Sequence, residues 1–131
     1  MNILFLCVAN SARSQMAEGI AKSILSSNHD IRSAGSLPGE EVHPGAIKSL
    51  NEVGIDISNN VPKSIKSLDK SFIDKLDFVI LLCAEEECPL PPKSMNILNW
   101  HQPDPVIKLN NFNNVRCKII KLLNDFNSKI V

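Results

Sequence analysis

Cys7 and Arg13 are separated by five mostly small residues, Val8, Ala9, Asn10, Ser11 and Ala12, and Ser14 follows directly. Small side chains let a backbone curl until successive N–H groups aim at one point. Where such a loop runs into a helix, the positive end of the helix dipole falls at the same point, and the two together cradle a tetrahedral oxyanion. Arg13 adds a planar fork that binds two anion oxygens at once. A thiol held beside these groups gives up its proton readily, so Cys7 is expected as a thiolate nucleophile and residues 8–14 as its anion-binding loop. Ser14 can donate a hydrogen bond to that sulfur, and Asn10 can hold the shape of the loop through its amide.

Other residues of chemical interest lie far along the chain. Asp104 sits in a proline-bounded loop, where a carboxyl group can protonate a departing oxygen, although an Asp-Pro pair equally opens an ordinary turn. Cys83 ends an apolar run and Cys88 follows after four intervening residues. Between them Glu85, Glu86 and Glu87 read as a solvated face, whose charge opposes thiolate formation at both cysteines. Cys117, between Arg116 and Lys118, is expected to pack in a helix. His29, His43 and His101 lack the spacing of metal ligands, and no cysteines form a close zinc-type pair, so neither metal nor cofactor is expected.

The elements that must position these groups follow from periodicity. Residues 1–7 form a short apolar run, and from Gln15 the apolar residues Met16, Ile20, Ile24 and Leu25 recur at helical spacing, giving strand, loop, helix. Residues 31–34 read as a second strand. Pro44 opens a helix with Ala46, Ile47, Leu50 and Val53 on one face, stopped by Gly54. Asp69 is an N-cap for a short helix through Leu76, and residues 78–83 form a uniformly apolar strand suited to burial on both faces. A short strand at residues 96–98 precedes a loop to Pro105, and residues 112–126 form the last helix on a stripe of Val115, Ile119, Leu122, Leu123 and Phe126. Alternating strands and helices predict an α/β fold with a parallel sheet, whose ligands bind beyond the carboxyl ends of the strands. Cys7 and Cys83 both fall at such ends, which suggests a shared site.

Composition narrows the function further. A chain of 131 residues with 44% hydrophobic and 21% charged residues fits one soluble domain spanning residues 1–131. The formal net charge is zero, so no basic surface for nucleic acid or membrane is expected, and no apolar run approaches the ~20 residues of a membrane span. Without a leader-like N-terminus, and with cysteines that look chemical rather than structural, a cytoplasmic monomer is expected.

The run Cys7-Val8-Ala9-Asn10-Ser11-Ala12-Arg13-Ser14-Gln15-Met16-Ala17-Glu18-Gly19 resembles the loop of the thioredoxin-coupled arsenate reductases, which are built on the low-molecular-weight tyrosine phosphatase fold. The resemblance continues through Ser33-Ala34-Gly35, His43-Pro44 and Val53-Gly54-Ile55-Asp56-Ile57-Ser58, and resumes around Cys83, Cys88 and Trp100 to Pro105. It implies a four-stranded parallel sheet flanked by helices. It also implies that Cys7 attacks arsenate while Asp104 helps water leave, that Cys83 then attacks Cys7 and frees arsenite, and that Cys88 moves the disulfide to a pair reducible by thioredoxin. Segment 84–87 would have to rearrange for that exchange. Phosphate or sulfate would fit the same loop.

Departures from the pattern are few. Ala9 and Ala12 stand where a glycine and a cysteine are common, and the spacing of Cys83 and Cys88 is short. Some members bind potassium through residues matching Asn10, Glu18 and Ser33, but Lys63 falls where a further oxygen ligand belongs, so no potassium site is expected, and Glu18 can equally face the helix surface. Two other functions remain open: a tyrosine phosphatase using Cys7, Arg13 and Asp104 alone, although the chain lacks tyrosine and is only 5% aromatic, and a non-catalytic sensor of redox state or anions.

Overall fold

The computed structural model describes residues 1–83, 89, 96–105 and 111–130. Four strands, β1 (Asn2–Cys7), β2 (Asp30–Gly35), β3 (Leu76–Leu81) and β4 (Asn96–Asn99), form one parallel sheet in the order β2-β1-β3-β4. The helices are α1 (Arg13–Ile24), α2 (Pro44–Asn51), α3 (Lys70–Asp74) and α4 (Phe112–Ile130), with a 3-10 turn at Ile65–Ser67. No helix among the described residues is long and apolar enough to cross a membrane.

The unbroken apolar character of β1 has a direct cause in the twofold period of a strand. Ile3 and Phe5 face a core closed by α1, α2 and α4, while Leu4 and Leu6 face a second core closed by α3 and the turn before it. Both sets are buried completely, so a polar residue on either face would be stranded. β1 thus lies inside the sheet and inside both cores, and Cys7 emerges at its carboxyl end opposite Gly35 of β2.

Several boundaries differ from the sequence expectation. α3 stops at Asp74 rather than Leu76, because Leu76 pairs with Asn2 and opens β3. Regular β3 ends at Leu81, although Leu82 N–H still donates to Leu6 O at 2.9 Å and Cys83 is fully buried beyond it. α2 ends at Asn51, three residues before Gly54. A turn follows in which Leu50 O accepts from both Val53 N and Ile55 N, Gly54 takes a φ of 79°, and Val53 leaves the core at 43% exposure. Asp69 does cap α3, accepting from Phe72 N. Cys117 is exposed, not packed, because it lies off the buried stripe of α4 defined by Val115, Ile119 and Leu123. The expected rearranging segment 84–87, the Glu85–Glu87 face and Cys88 fall outside the described residues.

Candidate active site

The chain leaves β1 at Cys7 and must reach α1 within five residues, and Asn10 makes this possible with a φ of 51°. Asparagine tolerates this left-handed region better than most residues. The loop is then pinned from outside: Leu37 N–H donates to Val8 O, Gly39 N–H to Ala9 O and His43 N–H to Ser11 O, at 2.9, 2.9 and 2.8 Å. Gly35 allows the loop to lie this close. A Cβ built on it would stand 3.0 Å from Asn10 N, 3.1 Å from Asn10 Cβ and nearer still to the Val8 carbonyl oxygen. α1 begins at Arg13 with Ala12 at its N-cap, so no side chain there competes for the first free N–H groups of the helix.

The Asn10 amide behind Cys7 has a determinable orientation. Lys63 N–H can only donate, and it meets Asn10 Oδ1 at 2.8 Å; Gln15 Nε2 meets the same oxygen at 3.0 Å. That fixes the amide of Asn10 so that its Nδ2 faces Ser14 Oγ, also at 2.8 Å. Ser14 Oγ therefore accepts from Asn10, which leaves its single hydrogen available to the Cys7 sulfur, 2.8 Å away. Asn10 and Ser14 are fully buried, and Cys7 is 3% exposed.

Arg13 is buried as well, and its Nη1 donates to Gln102 O at 3.0 Å. This contact ties the nucleophile loop to the segment leading to Asp104, which is partly buried two residues farther on. That segment continues the sheet: Trp100 N–H donates to Leu81 O and Gln102 N–H to Leu82 O, at 2.9 and 2.8 Å. Cys83 lies at the end of this extension and is disulfide-bonded, while Cys7 and Cys117 are free. The structure thus gathers Cys7, Asn10, Arg13 and Ser14 around one loop and brings the segment carrying Asp104 against Arg13. Cys88 is outside the described residues.

Glu18 does not face the helix surface. It is 5% exposed, accepts from Ser33 Oγ at 2.6 Å and pairs with Lys22 Nζ at 2.8 Å and Lys63 Nζ at 3.6 Å. The Lys63 ammonium thus stands beside the carboxylate, while the backbone of the same residue orients Asn10 through N–H and receives Gly35 N–H on its carbonyl at 2.8 Å. Among the described residues no group of three or more His, Cys, Asp or Glu side chains comes together as a metal site would require. Sequence reasoning missed the anchoring role of the Gln102 carbonyl, the imidazole of His101 near Cys83, and the steric demand at Gly35. Only the last had a local signal, a glycine ending a strand.

A cysteine nucleophile loop between the first strand and first helix of a four-stranded parallel sheet invites comparison with known proteins. The pattern of the low molecular weight phosphotyrosine protein phosphatases matches residues 2–130. The chain belongs to that family. Among relatives of this phosphatase-family chain, arsenate reductase 2 of Staphylococcus haemolyticus is 38% identical over 130 residues, covering 97% of this chain and 96% of the relative. A solved arsenate reductase in its oxidized state is 32% identical with a TM-score of 0.84, covering 100% of both chains. A thioredoxin-dependent arsenate reductase from Corynebacterium glutamicum is also 32% identical, with a TM-score of 0.67, over 94% of this chain and 59% of its own. The fold expected from the sequence is the fold these relatives share.

Proposed function

We propose that this phosphatase-family chain is an arsenate reductase with Cys7 as its nucleophile and a thiol relay regenerated by thioredoxin. The observation that carries the proposal is the hydrogen-bonded chain linking Asn10 Nδ2, Ser14 Oγ and Cys7 Sγ, with a second sulfur, Cys83, disulfide-bonded past the end of the adjacent strand. Hydrolysing a phosphate ester needs one thiolate, whereas reducing arsenate needs two electrons and so a pair of thiols. Relatives named arsenate reductases, one of them thioredoxin-dependent, support the same choice.

In this scheme residues 8–14 and the Arg13 guanidinium hold the anion while the Cys7 thiolate attacks arsenic. An As–O bond breaks, and Asp104 gives the proton with which that oxygen leaves as water. The Cys83 thiolate then attacks the Cys7 sulfur. The S–As bond breaks with its electron pair on arsenic, which passes from pentavalent to trivalent and departs as arsenite, and two thiolates have become one disulfide. The Cys88 thiolate next attacks Cys83, freeing Cys7, and the thioredoxin dithiol reduces the Cys83–Cys88 pair. The register Leu6↔Leu81, extended by the bond from Leu82 N–H to Leu6 O, sets Leu82 opposite Cys7 and Cys83 one residue farther along the neighbouring strand, so the first exchange requires the Cys83 sulfur to turn towards the loop. The scheme requires no metal or cofactor and treats the protein as a cytoplasmic monomer.

All five phenylalanines and the tryptophan pack into or against the two cores, and the chain has no tyrosine, so no aromatic ring is left to grip a phosphotyrosine. Assays of arsenate reduction with thioredoxin and of aryl phosphate hydrolysis, on the wild type, Cys83→Ser and Cys88→Ser, test the proposal. Loss of reduction alone is expected in both variants. Reduction that survives both substitutions, or a wild type that only hydrolyses the ester, overturns it. Replacing thioredoxin by glutaredoxin in the same assay should abolish turnover.

A further inference from the structure

β3 and β4 end at Leu81 and Asn99, yet the ladder continues through Trp100 N–H to Leu81 O and Gln102 N–H to Leu82 O. The next carbonyl, Cys83 O, is met by a side chain: His101 Nδ1 lies 2.6 Å from it. A carbonyl oxygen only accepts, so Nδ1 carries the hydrogen of this bond. Cys83 is fully buried and disulfide-bonded. Gln102, adjacent to His101, gives its carbonyl to Arg13. His101 therefore stands between the anchor of the guanidinium and the second sulfur.

We propose that His101 is a positioning residue for Cys83: its Nδ1–H clamps the Cys83 carbonyl while that sulfur is in its disulfide, and releases it when the sulfur changes partner. The purpose of the clamp rests on the relay proposed above, whereas the clamp itself is a property of the disulfide. A ladder bond between backbones breaks only if a strand moves, but a side-chain bond breaks by rotation about χ1. Holding the carbonyl holds the Cα of Cys83, and a disulfide forms and breaks only within a narrow range of Cα separation. A clamp that can open thus keeps the oxidised form in place without blocking exchange.

Reduction of the oxidised protein by dithiothreitol tests this directly. One dithiothreitol thiolate attacks a sulfur of the Cys83 disulfide, whose S–S bond breaks with the electron pair on the departing sulfur. The second dithiothreitol thiol then displaces the remaining protein sulfur, so the protein gains two thiols and the reagent closes to its own disulfide. Losing one hydrogen bond that holds the oxidised form should speed reduction about five- to tenfold in His101→Ala and in His101→Phe, which keeps a ring without a donor. His101→Asn, whose side-chain N–H occupies a similar place, should stay within about twofold of the wild type. Alkylation of Cys7 and affinity for inorganic phosphate should not change in any variant, as they would if the fold merely loosened. Wild-type reduction rates in both donorless variants, a His101→Asn variant as fast as them, or a parallel change at Cys7 would each overturn the proposal. Arsenate turnover by the wild type, measured on the same preparation, separates the two ideas: its absence defeats the reductase and leaves the reduction comparison intact.

Discussion

Replacing Gly35 by alanine should injure the site through the backbone of its loop. The added Cβ would meet Asn10 N at 3.0 Å and Asn10 Cβ at 3.1 Å, and the Val8 carbonyl oxygen more closely, where ordinary contact begins at 3.4 Å. β2 cannot retreat cheaply, since Gly35 N–H is held by Lys63 O at 2.8 Å and Gly35 is paired with Cys7. The loop must therefore move away by several tenths of an ångström or more. A misplacement of ~1 Å near a reacting centre costs on the order of 10²-fold in rate, so G35A should lose between about tenfold and a hundredfold in kcat/KM for arsenate. Overpacking of this kind costs roughly 1–3 kcal/mol of stability, which at this size lowers Tm by about 3–5 °C for each kcal/mol. Steady-state kinetics and a thermal melt on the same sample separate the two effects. A variant within threefold of wild-type kcat/KM, at an unchanged Tm, would show that the close approach of β2 does not shape the loop.

Ser14→Ala, made in a Cys117→Ser background so that Cys7 is the remaining free described thiol, should slow alkylation of Cys7 near neutral pH by about tenfold or more, the worth of one hydrogen bond to a charged acceptor; an unchanged rate would mean that the hydroxyl does not serve the sulfur. The Asp69 carboxyl is lowered to about 2 from 3.8, first by the Ser71 hydroxyl and then by the Arg32 guanidinium, with which it forms an ion pair. Because its folded value lies below its unfolded one, its stabilisation is complete above about pH 4 and disappears as the pH falls towards 2, so Asp69→Asn should flatten the urea-unfolding profile across that window, lying below the wild type at neutral pH and meeting it near pH 2. With the Lys63 ammonium beside Glu18, wild-type turnover should be the same in sodium and potassium salts at equal ionic strength, whereas Lys63→Met should lower stability by leaving the buried carboxylate to Lys22; a wild type that potassium accelerates would contradict this account.

How much of this was legible in the sequence depended on the range of the interaction. The strand to Cys7, the loop and α1 are local, and the apolar run followed by helical spacing from Met16 announced them. Pro44 at the start of α2 and Asp69 at the start of α3 were equally readable, because a cap is set by residues two or three positions away. Ends were harder. Gly54 does mark a positive φ, but it closes the turn after α2 rather than the helix itself, and Leu76 has the same apolar character whether it ends a helix or pairs with Asn2. Burial by residue type misplaced Cys117, which lies off the stripe of its helix, and left Glu18 open, since its burial is settled by Ser33 and Lys63, distant in sequence, together with Lys22 one turn away. In the site, Cys7, Arg13 and Ser14 were visible through spacing alone. The Gln102 carbonyl under Arg13 and the His101 imidazole on Cys83 were not, since each depends on how far the sheet extends past its regular strands.

The most direct measurement uses fully reduced protein and arsenate with no external reductant, counting arsenite released and thiols lost. The account predicts that a pair of thiols disappears for each arsenite formed, that Cys83→Ser forms none, and that the product disulfide contains Cys83. Arsenite formed without loss of thiols, or thiols lost without arsenite, would contradict it.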